Sequence, residues 1–192
     1  MSGMVVGIDI GGTHFRIGTV AADESVADFR KIPVKQVFCT DDPLGDLTNF
    51  LRAYIHGKEI MAIAIGFPAT LDARRQTVLQ APNVAFMENL PVVAVLTEAF
   101  GIPVFIERDV TMALCYDCRK LKIPTEGIVC GIYYGTGIGN AISINGIPLV
   151  GRNGTAGELG HIPVDGSEAV CGCGNLGCME ALAGGKALAH MQ

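Results

Sequence analysis

At 192 residues the chain is long enough for one large domain or two small ones, and with 49% hydrophobic residues and a mean hydropathy of +0.40 it can bury a sizeable core. A net charge of −5 argues against a large nucleic-acid footprint, which needs clustered Lys and Arg, and no apolar run approaches the ~18 residues of a membrane span. Seven cysteines, an odd count, and an N-terminus without the charged and apolar regions of a leader fit a reducing compartment.

Residues Met4–Ile10 form a β-branched run that ends at Gly11-Gly12, so a strand and a tight turn are expected, with a paired strand over 14–21 and a poorer third strand over 29–37. Asp42-Pro43 is a helix-start signal, followed by Leu44, Leu47, Leu51, Tyr54 and Ile55 at helical spacing. Ile60–Phe67 reads as a strand buried on both faces, 68–89 as mostly loop, and Pro91 as the start of a short helix to Phe100. A strand over 104–107 hands over at Asp109 to a helix ending near Lys120. The charged, proline-containing stretch 119–127 is the best boundary, which divides the chain into 1–120 and 121–192. After it the pattern restarts: a strand over Ile128–Tyr134, a glycine turn over 135–139, a strand over 140–144 and an Asn145-Gly146 hairpin turn. Strand, glycine turn and strand thus occur twice, which suggests two related lobes. The second lobe reads as incomplete, because a helical pattern has only begun at 186–192.

In the first turn, D-I-G-G-T, adjacent glycines can direct backbone N–H groups into a concavity suited to phosphate, Thr13 adds a hydroxyl, and Asp9 can order a hydrated Mg2+. An ordinary hairpin with glycine at positive φ remains open there. The second turn, G-T-G-I-G, carries Gly135, Thr136 and Gly137; a dinucleotide site would need a helix after it, and a strand-like segment follows instead. Two matched glycine turns fit a phosphate chain gripped from both sides of a cleft. Asp109, at a strand end that feeds a helix, reads either as an N-cap or as a general base for a substrate hydroxyl.

The densest chemistry runs from A-G-E-L-G-H to C-G-C-G-N-L-G-C-M-E. His161, Cys171, Cys173 and Cys178 make a four-ligand set of the kind that closes a structural zinc site, bracketed by the carboxylates Glu158 and Glu180. A zinc ribbon for nucleic acid would need more flanking basic residues than Arg152 and Lys186 supply. Cys115 and Cys118 form a C-x-x-C but fall within a helix, and read as small core or surface residues rather than a redox pair. Met61, Met87, Met112 and Met179 are assigned to packing, and His14, His56 and His190 to surface or turn positions.

Taken together, D-I-G-G-T, G-T-G-I-G, A-G-E-L-G-H and C-G-C-G-N-x-G-C-M-E resemble the ROK family of bacterial sugar kinases and repressors, in the expected order over nearly the whole chain. The resemblance implies an α/β actin-like (ribonuclease H-like) ATPase fold, with a complete first lobe, an incomplete second lobe carrying the zinc clip, and a cleft between lobes. It implies that Asp109 is the catalytic base and that Gly66, Asn83, Glu158, His161 and Glu180 face a hexose. His161 is also a zinc ligand with the three cysteines, and Asp9, Gly11, Gly12, Thr13, Gly135, Thr136 and Gly137 take the phosphates and Mg2+ of ATP. Family glucokinases carry asparagine before the catalytic aspartate, where this chain has Arg108. E-R-D-V with G-F-P-A looks like D-allose kinase, so the expected reaction is phosphorylation of the 6-hydroxyl of an aldohexose, D-allose in particular, with glucose and N-acetylmannosamine as alternatives. The implied protein is cytoplasmic and homodimeric, without nucleic-acid or membrane partners. Repressors of the family carry a helix-turn-helix ahead of the first strand, and the strand at Met4 leaves no room for one. Family members continue into a segment that contacts adenine and ribose, so the 192 residues are expected to be weakly active or inactive, and a non-catalytic sugar-binding fragment stays open.

Overall fold

The computed structural model describes residues 3–189, which leaves His190 outside the described residues. Contacts divide the chain into two compact units, Met1–Asp109 and Val110–Gln192. No helix among the described residues is long and apolar enough to cross a membrane.

The first unit is a five-stranded mixed sheet. β1 (Met4–Ile10), β2 (His14–Val20) and β3 (Val26–Pro33) form an antiparallel meander. After α1 (Val34–Val37) and α2 (Pro43–Ile55), β4 (Ile60–Phe67) returns parallel to β1. The short hairpin β5 (Thr70–Leu71) and β6 (Val78–Gln80), a 3-10 turn at Ala85–Met87 and α3 (Val92–Phe100) lead to β7 (Val104–Arg108), parallel to β4. The strand order is β3-β2-β1-β4-β7. α2 starts where the sequence signals: the Asp42 side chain accepts from the Gly45 N–H, and Pro43 supplies a position that needs no donor. Its buried Leu44, Leu47, Leu51 and Tyr54 share one core with Ile63, Ile65 and Phe67 of β4.

Several expectations change in this unit. The third strand lies over Val26–Pro33, and 34–37 is helical. β4 is deeply buried on one face only; Ala62 and Ala64 are half-buried on the other, beside the exposed Phe105 of β7. Met61, assigned to packing, is 55% exposed at the start of the strand, whereas Met87 is fully buried. The supposed loop at 68–89 contains a hairpin whose turn is gathered by one side chain: the Asp72 carboxylate accepts from the N–H groups of Arg74, Gln76 and Thr77. Burial works against this carboxylate, but those donors outweigh it and hold its pKa below the usual range.

The second unit opens with α4 (Asp109–Lys120), apart from its first residue, and so begins at Val110 rather than at the expected residue 121. The reason is packing. A Cβ on Gly139 would meet Val110 Cγ1 at 2.5 Å, one on Gly131 would meet Leu114 Cδ1 at 3.0 Å, and Tyr133 Oη donates to Asp117 Oδ2 at 3.0 Å. Burial, with the Asp117 carboxylate, raises the Tyr133 pKa far above its ordinary value. β8 (Ile128–Tyr134), β9 (Ile138–Ile144) and β10 (Ile147–Pro148) form an antiparallel sheet in the order β10-β9-β8. Asn145 and Gly146 both have positive φ, 50° and 78°, as the predicted hairpin turn requires. β8 is the sheet edge, and its outward face presents Ile128, Ile132 and Tyr134. Apart from a 3-10 turn at Leu159–His161, the rest of the unit is irregular up to α5 (Met179–Ala183) and α6 (Gly185–Ala189).

Candidate functional site

In the first unit, parallel strands β1, β4 and β7 bring their carboxyl ends to one edge of the sheet, the place where α/β sheets meet ligands. Register sets Asp9 beside Gly66 and Gly66 beside Glu107, and Asp109 follows directly as the first residue of α4. Asp9 also faces Arg16 across the β1–β2 hairpin; Arg16 Nη1 donates to Asp9 Oδ2 at 2.5 Å, with both side chains about two-fifths exposed (41% and 43%). Thr13 and Gly12 are exposed in the turn between.

Gly11 and Gly12 lie in the β1–β2 hairpin, but neither is among the residues with positive φ, so positive φ is not what calls for glycine there. Gly12 is required by a close approach: a Cβ there would stand 2.7 Å from the Asn83 carbonyl oxygen. Asn83 and the first glycine turn are thereby brought together. Arg108 is only 6% exposed at the end of β7. Its N–H donates to Glu107 Oε1 at 2.8 Å, and Arg75 Nε lies 3.0 Å from that same oxygen.

In the second unit, one ligand atom from each of His161, Cys171, Cys173 and Cys178 lies within 4.8 Å of all the others. Cys173 Sγ and Cys178 Sγ are 3.7 Å apart, and Cys171 Sγ is 3.6 Å from His161 Nδ1. A tetrahedral ion with metal–sulfur bonds of about 2.3 Å sets neighbouring donors about 3.8 Å apart, so the set fits Zn2+ in a closed, four-ligand site. The loop reaches this shape through positive φ at Gly174 and Gly177; a Cβ on Gly177 would also meet the Ser167 carbonyl oxygen at 2.7 Å. The Cys171 and Cys178 carriers are buried. Burial and the neighbouring thiols push the Cys178 pKa up to about 12. Burial also acts against the Cys173 thiolate, but the Asn175 N–H and the adjacent thiols bring its pKa below the ordinary value. Three thiols at this spacing share protons because three bare thiolates would repel; a divalent cation removes that repulsion.

His161 offers Nδ1 to the cysteines and turns Nε2 toward Glu158 Oε2, 3.8 Å away. Glu158 has φ 53°, a left-handed conformation unusual for a glutamate. The segment is fixed from behind by Asn140 of β9, 3% exposed, whose Oδ1 accepts from the Leu159 N–H at 2.7 Å. Glu180 is placed differently from its neighbour. Its Oε2 accepts from the Ile138 N–H at 2.8 Å, directly against Gly137 of the second glycine turn.

Each unit therefore gathers its own share of the predicted residues: Asp9, Gly11, Gly12, Thr13, Gly66, Asn83, Arg108 and Asp109 in the first, and Gly135, Thr136, Gly137, Glu158, His161, Glu180 and the three cysteines in the second. Sequence reasoning missed Asn140 and Arg16. The signal for Asn140 was an amide within an apolar strand, and for Arg16 a charged residue at the position opposite Asp9 in a hairpin.

Comparison with known proteins agrees over the same span. The family pattern described as ROK matches residues 5–192. A glucokinase of Streptomyces coelicolor is 31% identical over 187 residues, covering 97% of this chain and 58% of that protein. An N-acetylmannosamine kinase of Shigella flexneri is 29% identical over 188 residues, covering 96% and 62%. The crystal structure of a ROK family glucokinase from Streptomyces griseus in complex with glucose and AMPPNP superposes with a TM-score of 0.82 at 31% identity, covering 98% of this chain and 59% of that one. The chain thus spans about six-tenths of the length of these relatives. With the sheet order, both glycine turns and the histidine–cysteine cluster in place, the chain belongs to the ROK family.

Proposed function

We propose that this chain is part of a sugar kinase in which ATP donates its γ-phosphate to the 6-hydroxyl of an aldohexose. The observation that carries this reading is the position of Asp109: it follows the carboxyl end of β7 and opens α4, one strand from Gly66 and two from Asp9. The Asp109 carboxylate takes the proton of the sugar hydroxyl as that oxygen bonds to the γ-phosphorus and the bond to the ADP oxygen breaks. Asp109 is the first residue of α4, where the helix dipole favours negative charge. In the first unit Gly11, Gly12 and Thr13 are assigned to phosphate and Gly66 and Asn83 to sugar; in the second the turn at 135–137 is assigned to phosphate and Glu158, His161 and Glu180 to sugar. Mg2+ would be held near the Asp9 carboxylate, one oxygen of which accepts from Arg16, and would neutralise phosphate charge. Zn2+ held by His161, Cys171, Cys173 and Cys178 would be structural, fixing the backbone that carries Glu158 and Glu180.

The finer reading is D-allose. Arg108 offers only donors where glucokinases of the family have asparagine, so a different hydroxyl pattern is favoured. The names of the relatives support glucose and N-acetylmannosamine as the competing sugars. The exposed apolar face of β8 supports self-association, consistent with a homodimer.

The test is an ADP-release assay with allose, glucose and N-acetylmannosamine, run on this chain and on a version extended to the length of its relatives. Asp109→Asn in the extended protein should cost about 10²–10⁴-fold in turnover, with sugar affinity preserved. Turnover retained by that variant removes Asp109 from the role, and turnover on none of the three sugars refutes the hexose assignment.

A further inference from the structure

We infer that Glu180 is a positioning residue for the second glycine turn, and that a single segment, 178–186, ties this turn to the cysteine cluster. The inference rests on the reading of the turn as a phosphate site and deepens it.

Four amides run from Gly135 to Ile138. That of Gly135 goes to the Gly137 carbonyl at 3.0 Å, and that of Ile138 goes to Glu180 Oε2 at 2.8 Å. Those of Thr136 and Gly137 have no partner among the described residues. Their direction follows from the carbonyls in the same peptide planes. The Gly135 carbonyl accepts from the Gly185 N–H at 3.1 Å, and the Thr136 carbonyl accepts from the Lys186 N–H at 2.9 Å. In a trans peptide the N–H points opposite to the C=O. With both carbonyls turned onto the start of α6, the Thr136 and Gly137 N–H groups point away from it as a pair, the arrangement that receives an anionic oxygen.

Glu180 closes this clasp from a third direction. A Cβ on Gly137 would lie 2.0 Å from Glu180 Oε2 and 2.6 Å from Cδ, so the carboxylate fills the space a side chain would need. Gly137 is not at positive φ; the close approach of Glu180 is what demands glycine. Gly185 is required in the same way, since a Cβ there would lie 2.3 Å from the Gly135 carbonyl oxygen. All these groups sit on one short stretch of chain. Cys178 is a cluster donor, Met179 opens α5 with its N–H on the Ile162 carbonyl at 3.0 Å, Glu180 follows, and the two amides that hold the turn come at 185 and 186. The cluster therefore fixes the start of the segment whose other end shapes the phosphate turn.

The test measures the affinity of Mg2+–ADP by calorimetry, the zinc content, and the exchange rate of the Ile138 amide by NMR, in wild type, Glu180→Gln, Glu180→Ala, Gly137→Ala and the double variant Gly137→Ala/Glu180→Ala. Glutamine keeps an acceptor for Ile138, so Glu180→Gln should bind ADP within about threefold of wild type, while Glu180→Ala should lose about tenfold or more, with zinc content unchanged in both. Gly137→Ala should lose a similar amount because its Cβ displaces the carboxylate, and the double variant should be no worse than the weaker single one, within about twofold, because both act on one contact. Ile138 exchange should accelerate in Glu180→Ala and Gly137→Ala and stay slow in Glu180→Gln. Losses that multiply in the double variant, tighter ADP binding in Glu180→Ala, or unchanged Ile138 exchange would overturn the inference. A role confined to sugar contact predicts that Glu180→Gln and Glu180→Ala lose sugar affinity alike while ADP affinity and Ile138 exchange are unaltered. The exchange measurement needs no ligand. If neither wild type nor a version extended to the length of its relatives binds ADP but exchange responds as stated, the kinase reading fails and the clasp on the turn stands.

Discussion

Replacing Asn140 by alanine tests how the histidine of the cluster is held. The Asn140 side chain lies in β9, almost wholly buried, and its Oδ1 accepts from the Leu159 N–H two residues before His161. Alanine removes the acceptor and leaves a backbone donor unpaired, which costs about 1–3 kcal/mol. For a chain of this size that lowers the melting temperature by roughly 2–4 °C per kcal/mol. A second route to the magnitude runs through the metal. Losing a group that orients a metal ligand typically weakens affinity by about 10–100-fold, roughly 1.4–2.8 kcal/mol, and the two figures agree. The assay is thermal unfolding with and without Zn2+, together with competition for zinc against a chromophoric chelator. Asn140→Ala should melt lower and bind zinc at least about tenfold more weakly. If melting and zinc affinity both stay at wild-type values, Leu159 is not anchored through Asn140 and the account of how His161 is placed is wrong.

Arg16→Ala should barely change stability, because the pair with Asp9 is two-fifths exposed and worth at most about 1 kcal/mol. Under the proposed role of Asp9, Arg16 and Mg2+ draw on one carboxylate, so the variant should lower the Mg2+ concentration needed for half-maximal nucleotide binding; a magnesium titration followed by fluorescent-nucleotide binding reads this, and an unchanged midpoint contradicts it. Zinc chelation, or Cys178→Ser, should open the loop to protease within 159–179 while the 1–109 unit keeps its protection, as mass spectrometry of the cleavage products will show. Asp72 carries the pH prediction. Its folded pKa lies below the unfolded value near ~3.9, so its contribution to stability is present above that value and disappears as pH falls through the folded one. Asp72→Asn should therefore be less stable than wild type at neutral pH and converge with it in acid; a constant gap across the acid range would refute the assignment.

How much of this was legible in the sequence depended on the range of the interaction. Local chemistry was plain: Asp42-Pro43 started α2, Asn145-Gly146 turned β9 into β10, and the spacing from His161 to Cys178 assembled a donor set. The hairpin at 70–80 was hidden because one carboxylate, Asp72, organises it without an apolar pattern. The unit boundary was missed because the decisive contacts of α4 are with glycines of β8 and β9, and glycines that admit a neighbour look the same in sequence as glycines that turn a chain. Glu180 shows the same limit at the site. Its neighbours in sequence assign it to the cluster, whereas its hydrogen bond goes to a residue 42 positions earlier.

The left-handed backbone at Glu158 sets stability against activity at a single position. A side chain at φ 53° costs on the order of 1 kcal/mol that glycine would not. A screen that rewards heat resistance alone would drift toward glycine at 158 and discard the carboxylate beside His161; under the proposed role of Glu158 in holding a sugar, a screen for turnover would retain the strained glutamate and accept a lower melting point.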